Sequence, residues 1–192
     1  CALGKLGGRE IGFASDIELM FVYAGNGQSN GPEGISTPAF YERFVQCFVN
    51  TIHAKREGVF EVDLQLRPYG SSASMAVMLR AFEKYFAPDG PAWDYERQAL
   101  LRLRPIAGDT DLGNQLVKLR DEYIHNVGAS FDVASMRAMR ERQRRHLVTA
   151  GTFNAKFSAG GVVDVEYLVQ ALQINHGRSY EGVRHPNTRE AM

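Results

Sequence analysis

Residues 15–23 read Ser15-Asp16-Ile17-Glu18-Leu19-Met20-Phe21-Val22-Tyr23, and this stretch decides the fold. Its first half alternates polar with apolar, the period-2 signature of a strand with one buried face. Asp16 and Glu18 fall on one side, about 7 Å apart as i and i+2 on a strand, while Ile17 and Leu19 turn to the core. Residues 59–67 alternate in the same way. Phe60, Val62, Leu64 and Leu66 take one face, and Glu61, Asp63, Gln65 and Arg67 the other. Pro68 ends this second strand. If the two strands are neighbours, Asp16, Glu18 and Asp63 converge.

Three carboxylates in one place raise each other's pKa, and a divalent cation removes that penalty. Hard oxygen donors favour Mg²⁺ or Mn²⁺ over zinc. Two such ions about 3.5–4 Å apart can clamp the attacking and leaving oxygens of a phosphoryl or nucleotidyl transfer. Upstream, Gly7-Gly8 lets backbone approach a phosphate closely, with its N–H groups as donors. An Asp-x-Glu pair by itself is usually a solvated strand face. The order of glycine pair, carboxylate pair and third carboxylate on strand-like segments favours the metal site.

The chain has 192 residues, with 22 Lys+Arg against 22 Asp+Glu and 44% apolar residues. This is a globular composition, and net neutrality argues against coating nucleic acid or anionic lipid. No apolar run approaches the roughly 20 residues of a membrane span. Cys1 and Cys47 make neither a disulfide framework nor a four-cysteine zinc site, so reduced thiols and a cytoplasmic setting are expected. There is no P-loop and no Gly-x-Ser-x-Gly elbow, and His53, His125, His146, His176 and His185 lack ligand spacing. Arg137, Arg140, Arg142, Arg144 and Arg145 read as a solvated helix face, with a contact surface for an acidic protein patch as the alternative. Trp93 reads as a core aromatic, and Arg67, Arg102 and Arg104 as candidates to meet phosphate.

The remaining elements follow from periodicity. Residues 1–15 read as a glycine-rich loop or short turn and 24–36 as a long polar loop. Thr37 is the expected N-cap of a helix with Pro38 at its first position, burying Phe40, Phe44, Val45, Phe48, Val49 and Ile52. Further helices are predicted over about 75–86 and 92–104. Past Gly108 only helices are expected. Their stripes are Leu112-Leu116-Leu119-Tyr123-Val127, Met136-Met139-Leu147 and Val162-Val165-Leu168-Val169-Leu172, the last stopped by Gly177. The expected fold is α+β, in two parts: 1–108, carrying the carboxylates, and an all-helical 109–192. The chain, beginning at Cys1 and ending inside a helical pattern, reads as a piece of a longer protein.

Several blocks resemble one known family. Gly4-Lys5-Leu6-Gly7-Gly8-Arg9-Glu10-Ile11-Gly12 followed by Ser15–Phe21 is similar to the nucleotidyltransferase signature of the bifunctional glutamine synthetase adenylyltransferase/adenylyl-removing enzymes. Glu61–Pro68, the block Trp93–Leu100 with Arg102 and Arg104, Gly160–Tyr167 and Val183–Thr188 resemble later blocks of that family, in order. The resemblance implies a polymerase-β-like nucleotidyltransferase domain with a mixed sheet, followed by a helical bundle. It also implies transfer of AMP from ATP to a tyrosine of glutamine synthetase, with pyrophosphate leaving. By position it makes Asp16, Glu18 and Asp63 the catalytic and metal-binding residues for Mg²⁺, in a two-ion site. Gly7, Gly8, Ser15 and Arg67 are placed on the nucleotide. The partners implied are glutamine synthetase and a nitrogen-regulatory signal protein, with no nucleic acid and no membrane. Trp93-x-x-Glu96-x-Gln98-Ala99 and Asp164 favour the AMP-adding domain over the phosphorolytic, AMP-removing one. A catalytically degenerate regulatory domain is the third reading, because Glu18 stands where the family pattern has Asp and Gln65 where Arg is common.

Overall fold

A computed structural model describes residues 1–13, 15–52, 60–126 and 132–192. Val59, Val127 and His53, which entered the sequence reading, lie outside them. The fold is α+β. The chain opens with a single helical turn, α1 (Gly4–Gly7), then β1 (Ile17–Glu18), β2 (Phe21–Tyr23), α2 (Thr37–Thr51), β3 (Val62–Asp63) and β4 (Ala76–Met78). After these come α3 (Leu79–Phe86), α4 (Asp94–Ala99), α5 (Thr110–His125), α6 (Val133–Leu147) and α7 (Val162–His176), with a 3₁₀ turn at Leu100–Arg102.

The predicted strand over 16–23 is present in two short pieces, each with its own parallel partner. β1 pairs with β3, Ile17 opposite Val62 and Glu18 opposite Asp63; β2 pairs with β4, Phe21 opposite Ala76. Between the pieces the chain is bridged from the other side. Ala2 makes antiparallel bridges to both Leu19 and Arg104. Leu3 N–H donates to the Glu18 carbonyl at 3.0 Å, and Ala2 and Arg104 exchange bonds of 2.8 and 2.9 Å. The N-terminal residues thus lie between the site strand and the chain that follows α4.

Several local expectations are corrected. Residues 76–78 form a strand, not the start of a helix, because Ala76 and Val77 are buried in the pairing with β2. Of the strand expected over 59–67, the described part is ladder only at 62–63. Phe60 enters it with φ of 55°, and the Asp63 carboxylate accepts the Gln65 N–H at 2.7 Å, turning the chain out of the sheet. The N-cap position of α2 is Ser36, which makes no side-chain capping bond, rather than Thr37, whose hydroxyl donates to the Gly27 carbonyl. Val45 carries the buried centre of α2, while Phe40 and Phe44 remain about half exposed.

Two clusters form the interior. Tyr23, Val45 and Ala76 tie α2 to the second strand pair. The larger one gathers Leu3, Met20, Phe82, Phe86, Leu100 and Leu103 with Leu116, Tyr123 and Ile124 of α5 and Ile174 of α7. Full burial of such side chains is worth roughly 1.5–3 kcal/mol each, so α5 and α7 pack on the same interior as the strands.

Of the stripe predicted for α7, Val169 is buried as expected and the other four residues face outward. Val162, Val165, Leu168 and Leu172 are 43–62% exposed, whereas Val163, Val169, Gln173 and Ile174 are buried. Gly177 does follow the helix as its C-cap. The arginine run on α6 is not all solvated either. Arg140 is buried, its Nε 2.5 Å from the Asp164 carboxylate, with further bonds to the Phe157 and Ser158 carbonyls. Trp93 is 68% exposed rather than core. Both cysteines are free, and among the described residues no helix is long and apolar enough to cross a membrane.

Candidate active site

Parallel pairing in register turns Glu18 and Asp63 to the same face of neighbouring strands, which lie about 4.8 Å apart. Asp16 precedes Glu18 by two residues. Asp16 is exposed and Glu18 and Asp63 half-buried, so the group opens to solvent at the strand edge. The electrostatics record the convergence. The Glu18 carboxyl is pushed above its ordinary range, first by burial, then by the charges of Asp63 and Asp16, with Arg102 and Lys156 opposing.

The Glu18 carboxylate is laid back against Gly4. A Cβ on that glycine would sit 2.0 Å from Glu18 Oε2, and Gly4 also has φ of +47°. A side chain at position 4 is thus excluded twice over, by space and by backbone conformation. Among the described residues, no three His, Cys, Asp or Glu side chains are gathered closely enough to hold a metal ion as they stand. The donor set still suits a hard divalent cation: three carboxylates, one of them raised by burial and then by the charges of the other two, with no nitrogen or sulfur donor among them.

The glycine pair has a different role from the expected one. Gly7 N–H donates to the Leu3 carbonyl at 2.6 Å and Gly8 N–H to Gly4 at 3.0 Å, so both expected phosphate donors are used inside α1. Both glycines are buried. A Cβ on Gly7 would meet the Arg102 carbonyl at 1.9 Å, and one on Gly8 the Pro186 carbonyl at 3.0 Å. Close approach is indeed what these glycines permit, but it is approach of the protein's own backbone.

Two arginines clamp this turn. Arg104 donates from Nε to the Gly7 carbonyl at 2.9 Å and from a terminal nitrogen to Leu6 at 2.8 Å, satisfying carbonyls at the end of α1. Arg102 is buried between the Glu10 carboxylate at 2.5 Å, the Thr188 hydroxyl at 2.7 Å and Glu166 at 3.6 Å. Asn187 adds a bond from its side-chain amide to the Gly8 carbonyl at 2.8 Å. The segment 185–188 therefore closes over the glycine turn.

The other residues placed on the nucleotide are engaged in the fold. Ser15 is buried, and its hydroxyl oxygen accepts the Gly12 N–H at 2.9 Å, closing the turn that delivers Asp16. Arg67 is buried, donating to the Leu64 and Ala73 carbonyls, while its Nε has no partner. Trp93-x-x-Glu96 is an N-terminal helix device. Glu96 reaches back to the Trp93 N–H at 2.8 Å and accepts the Tyr85 hydroxyl at 3.0 Å. Sequence reasoning missed Lys156, whose charge acts on Glu18 from the loop before α7. It also missed Glu10 and Glu166 as partners of Arg102; nothing local in the sequence marks contacts of such separation.

The fold and site define an α+β domain with a carboxylate trio on a parallel strand pair, set against a glycine turn held by arginines. Comparison with known proteins is specific. The family model described as glutamate-ammonia ligase adenylyltransferase matches residues 1–119. Proteins called bifunctional glutamine synthetase adenylyltransferase/adenylyl-removing enzyme match most of the chain. That of Methylococcus capsulatus is 40% identical over 88% of this chain and 18% of its own length. That of Hahella chejuensis is 34% identical over 92% of this chain and 19% of its own. That of Pasteurella multocida is 35% identical over 90% and 18%. The chain belongs to the glutamate-ammonia ligase adenylyltransferase family. It spans about a fifth of the length of these relatives.

Proposed function

We propose that this chain carries the AMP-adding site of its family. It transfers AMP from ATP to a tyrosine hydroxyl of glutamine synthetase, on a polymerase-β-like domain (1–108) backed by a helical part (109–192). The observation that carries this reading is the pairing of Glu18 with Asp63, with Asp16 near enough for its charge to act on Glu18. The names of the relatives support the substrate, and Trp93-x-x-Glu96-x-Gln98-Ala99 with Asp164 supports the adding rather than the removing domain.

Asp16, Glu18 and Asp63 would hold Mg²⁺, which when bound neutralises the charge of the triphosphate and of the trio itself. Asp63, beside Glu18 on the neighbouring strand, takes the proton of the attacking tyrosine hydroxyl. Lys156 adds positive charge that acts at Glu18, where the departing pyrophosphate is stabilised by charge rather than by covalent chemistry. Glu18 keeps the carboxylate of the family's Asp one methylene farther out.

Incubation with ATP labelled at the α-phosphate, Mg²⁺ and unmodified glutamine synthetase tests this. Label should pass to the synthetase and be lost in Asp63→Asn, while Glu18→Asp retains it. Failure of the chain to label the synthetase, together with phosphate-dependent ADP release from the adenylylated synthetase, would assign the removing reaction instead.

A further inference from the structure

We propose that the cleft between α4 and α6 docks an acidic protein segment bearing one large apolar side chain. The cleft has a volume of about 490 Å³ and does not share residues with the carboxylate site. Trp93 and Tyr95 form one wall, their rings stacked with centroids 6.4 Å apart and 68% and 47% exposed. Met136, Ala138 and Met139 form the other. Aromatic faces opposite thioethers make an adaptable apolar slot. Two large aromatics this exposed are not explained by the packing of α4, whose inward side chain is Gln98.

Charge complementarity selects the occupant. α6 carries five arginines and one glutamate. Arg140 is turned inward to Asp164, and Arg144 and Arg145 share the single carboxylate of Glu141. Arg142 lines the cleft and has no ion pair among the described residues. Arg142 and Arg145 continue the helical stripe begun by Ala138, at i+4 and i+7, so the apolar slot runs directly into an under-neutralised basic strip. Asp94 also lines the cleft, 3.6 Å from Arg97. Its charge disfavours a phosphate set between the rings. A peptide avoids that conflict, placing its apolar side chain in the slot and its carboxylates along Arg142 and Arg145.

Trp93 is the only tryptophan of the chain, so its fluorescence reads the site directly. The probe is a synthetic peptide of sequence Glu-Asp-Phe-Asp-Glu titrated into the 192-residue chain. A saturable shift of the Trp93 emission is expected, weakened about tenfold, or roughly 1.4 kcal/mol, by Phe→Ala in the peptide and by Arg142→Glu in the protein. Arg142 is exposed, and an unchanged melting temperature shows that the variant folds; Ala138→Tyr, also at an exposed position, should block the slot independently. The proposal is overturned if no saturable shift is seen up to about 1 mM. It is equally overturned if Lys-Lys-Phe-Lys-Lys binds as tightly, or if AMP alone gives the same response.

Discussion

Glu18 and Asp63 occupy paired positions on adjacent parallel strands, and the charge of Asp63 is the foremost electrostatic contribution lifting the Glu18 carboxyl above its ordinary range. Only burial contributes more. The pair is thus a local source of instability that the fold tolerates, the pattern expected where chemistry rather than stability sets the residues.

Replacing that charge should stabilise the chain. A carboxyl whose folded pKa lies above its unfolded value binds more protons in the folded state, so stability falls as pH rises through the interval from 4.5 upward. Glu18→Gln removes the penalty. In metal-free buffer at pH 8 its melting temperature should exceed the parent's by a few degrees, with 1 kcal/mol worth roughly 2–4 °C at this size. The difference should shrink as pH falls toward 4, which a series of melts at graded pH reads out.

Gly7 is fixed by packing. A methyl at this position would sit 1.9 Å from the Arg102 carbonyl and 3.1 Å from that of Ala2, both backbone atoms that cannot swing aside. Gly7→Ala should cost about 2–3 kcal/mol, a fall of roughly 4–12 °C in the melting temperature. Gly25→Ala, where no heavy atom lies within 4 Å but φ is +83°, should cost less.

The Arg140–Asp164 pair holds the loop before α7 in place. Arg140 is buried and also satisfies two backbone carbonyls, so Arg140→Ala should cost about 2–4 kcal/mol. The Asp164 carboxyl lies below its ordinary range, chiefly through its hydrogen bond with Arg140. Its contribution is present above the unfolded pKa and lost as pH falls through the folded one, below 3.8. Acid unfolding of Asp164→Asn should accordingly be less steep at the low-pH end.

How much of this was legible in the sequence depended on the range of the forces involved. Alternation around Glu18 and Asp63 revealed that these two side chains share a face, because that depends only on local geometry. The alternation did not hold over 60–66, where the ladder is confined to Val62–Asp63. It could not show that β1 and β2 take different partners, which is set by Ala2 inserting between Leu19 and Arg104. Ala76–Met78 ran on into apolar Leu79, and a short apolar run does not distinguish strand from helix. α7 is apolar on most sides, so periodicity picks out the buried Val169 but also Val162 and Leu168, where tertiary packing buries Val163 and Ile174. Arg102 and Arg104 stand in the sequence as no more than candidates to meet phosphate, because a sequence shows charge without partners. Their carbonyl and carboxylate acceptors lie more than ninety residues away in the chain for Glu10, Leu6 and Gly7.

A site built on Asp16, Glu18 and Asp63 must bind nucleotide only with a divalent cation. Thermal unfolding should be followed with and without Mg²⁺ and a non-hydrolysable ATP analogue, for the parent chain and for Asp63→Asn. The two ligands together should raise the parent's melting temperature, by up to about 2.7 kcal/mol of stabilisation at a hundredfold excess over the dissociation constant. Neither Mg²⁺ with the analogue nor Mg²⁺ alone should move that of Asp63→Asn. An equal rise in Asp63→Asn, or no rise in the parent, would contradict that requirement.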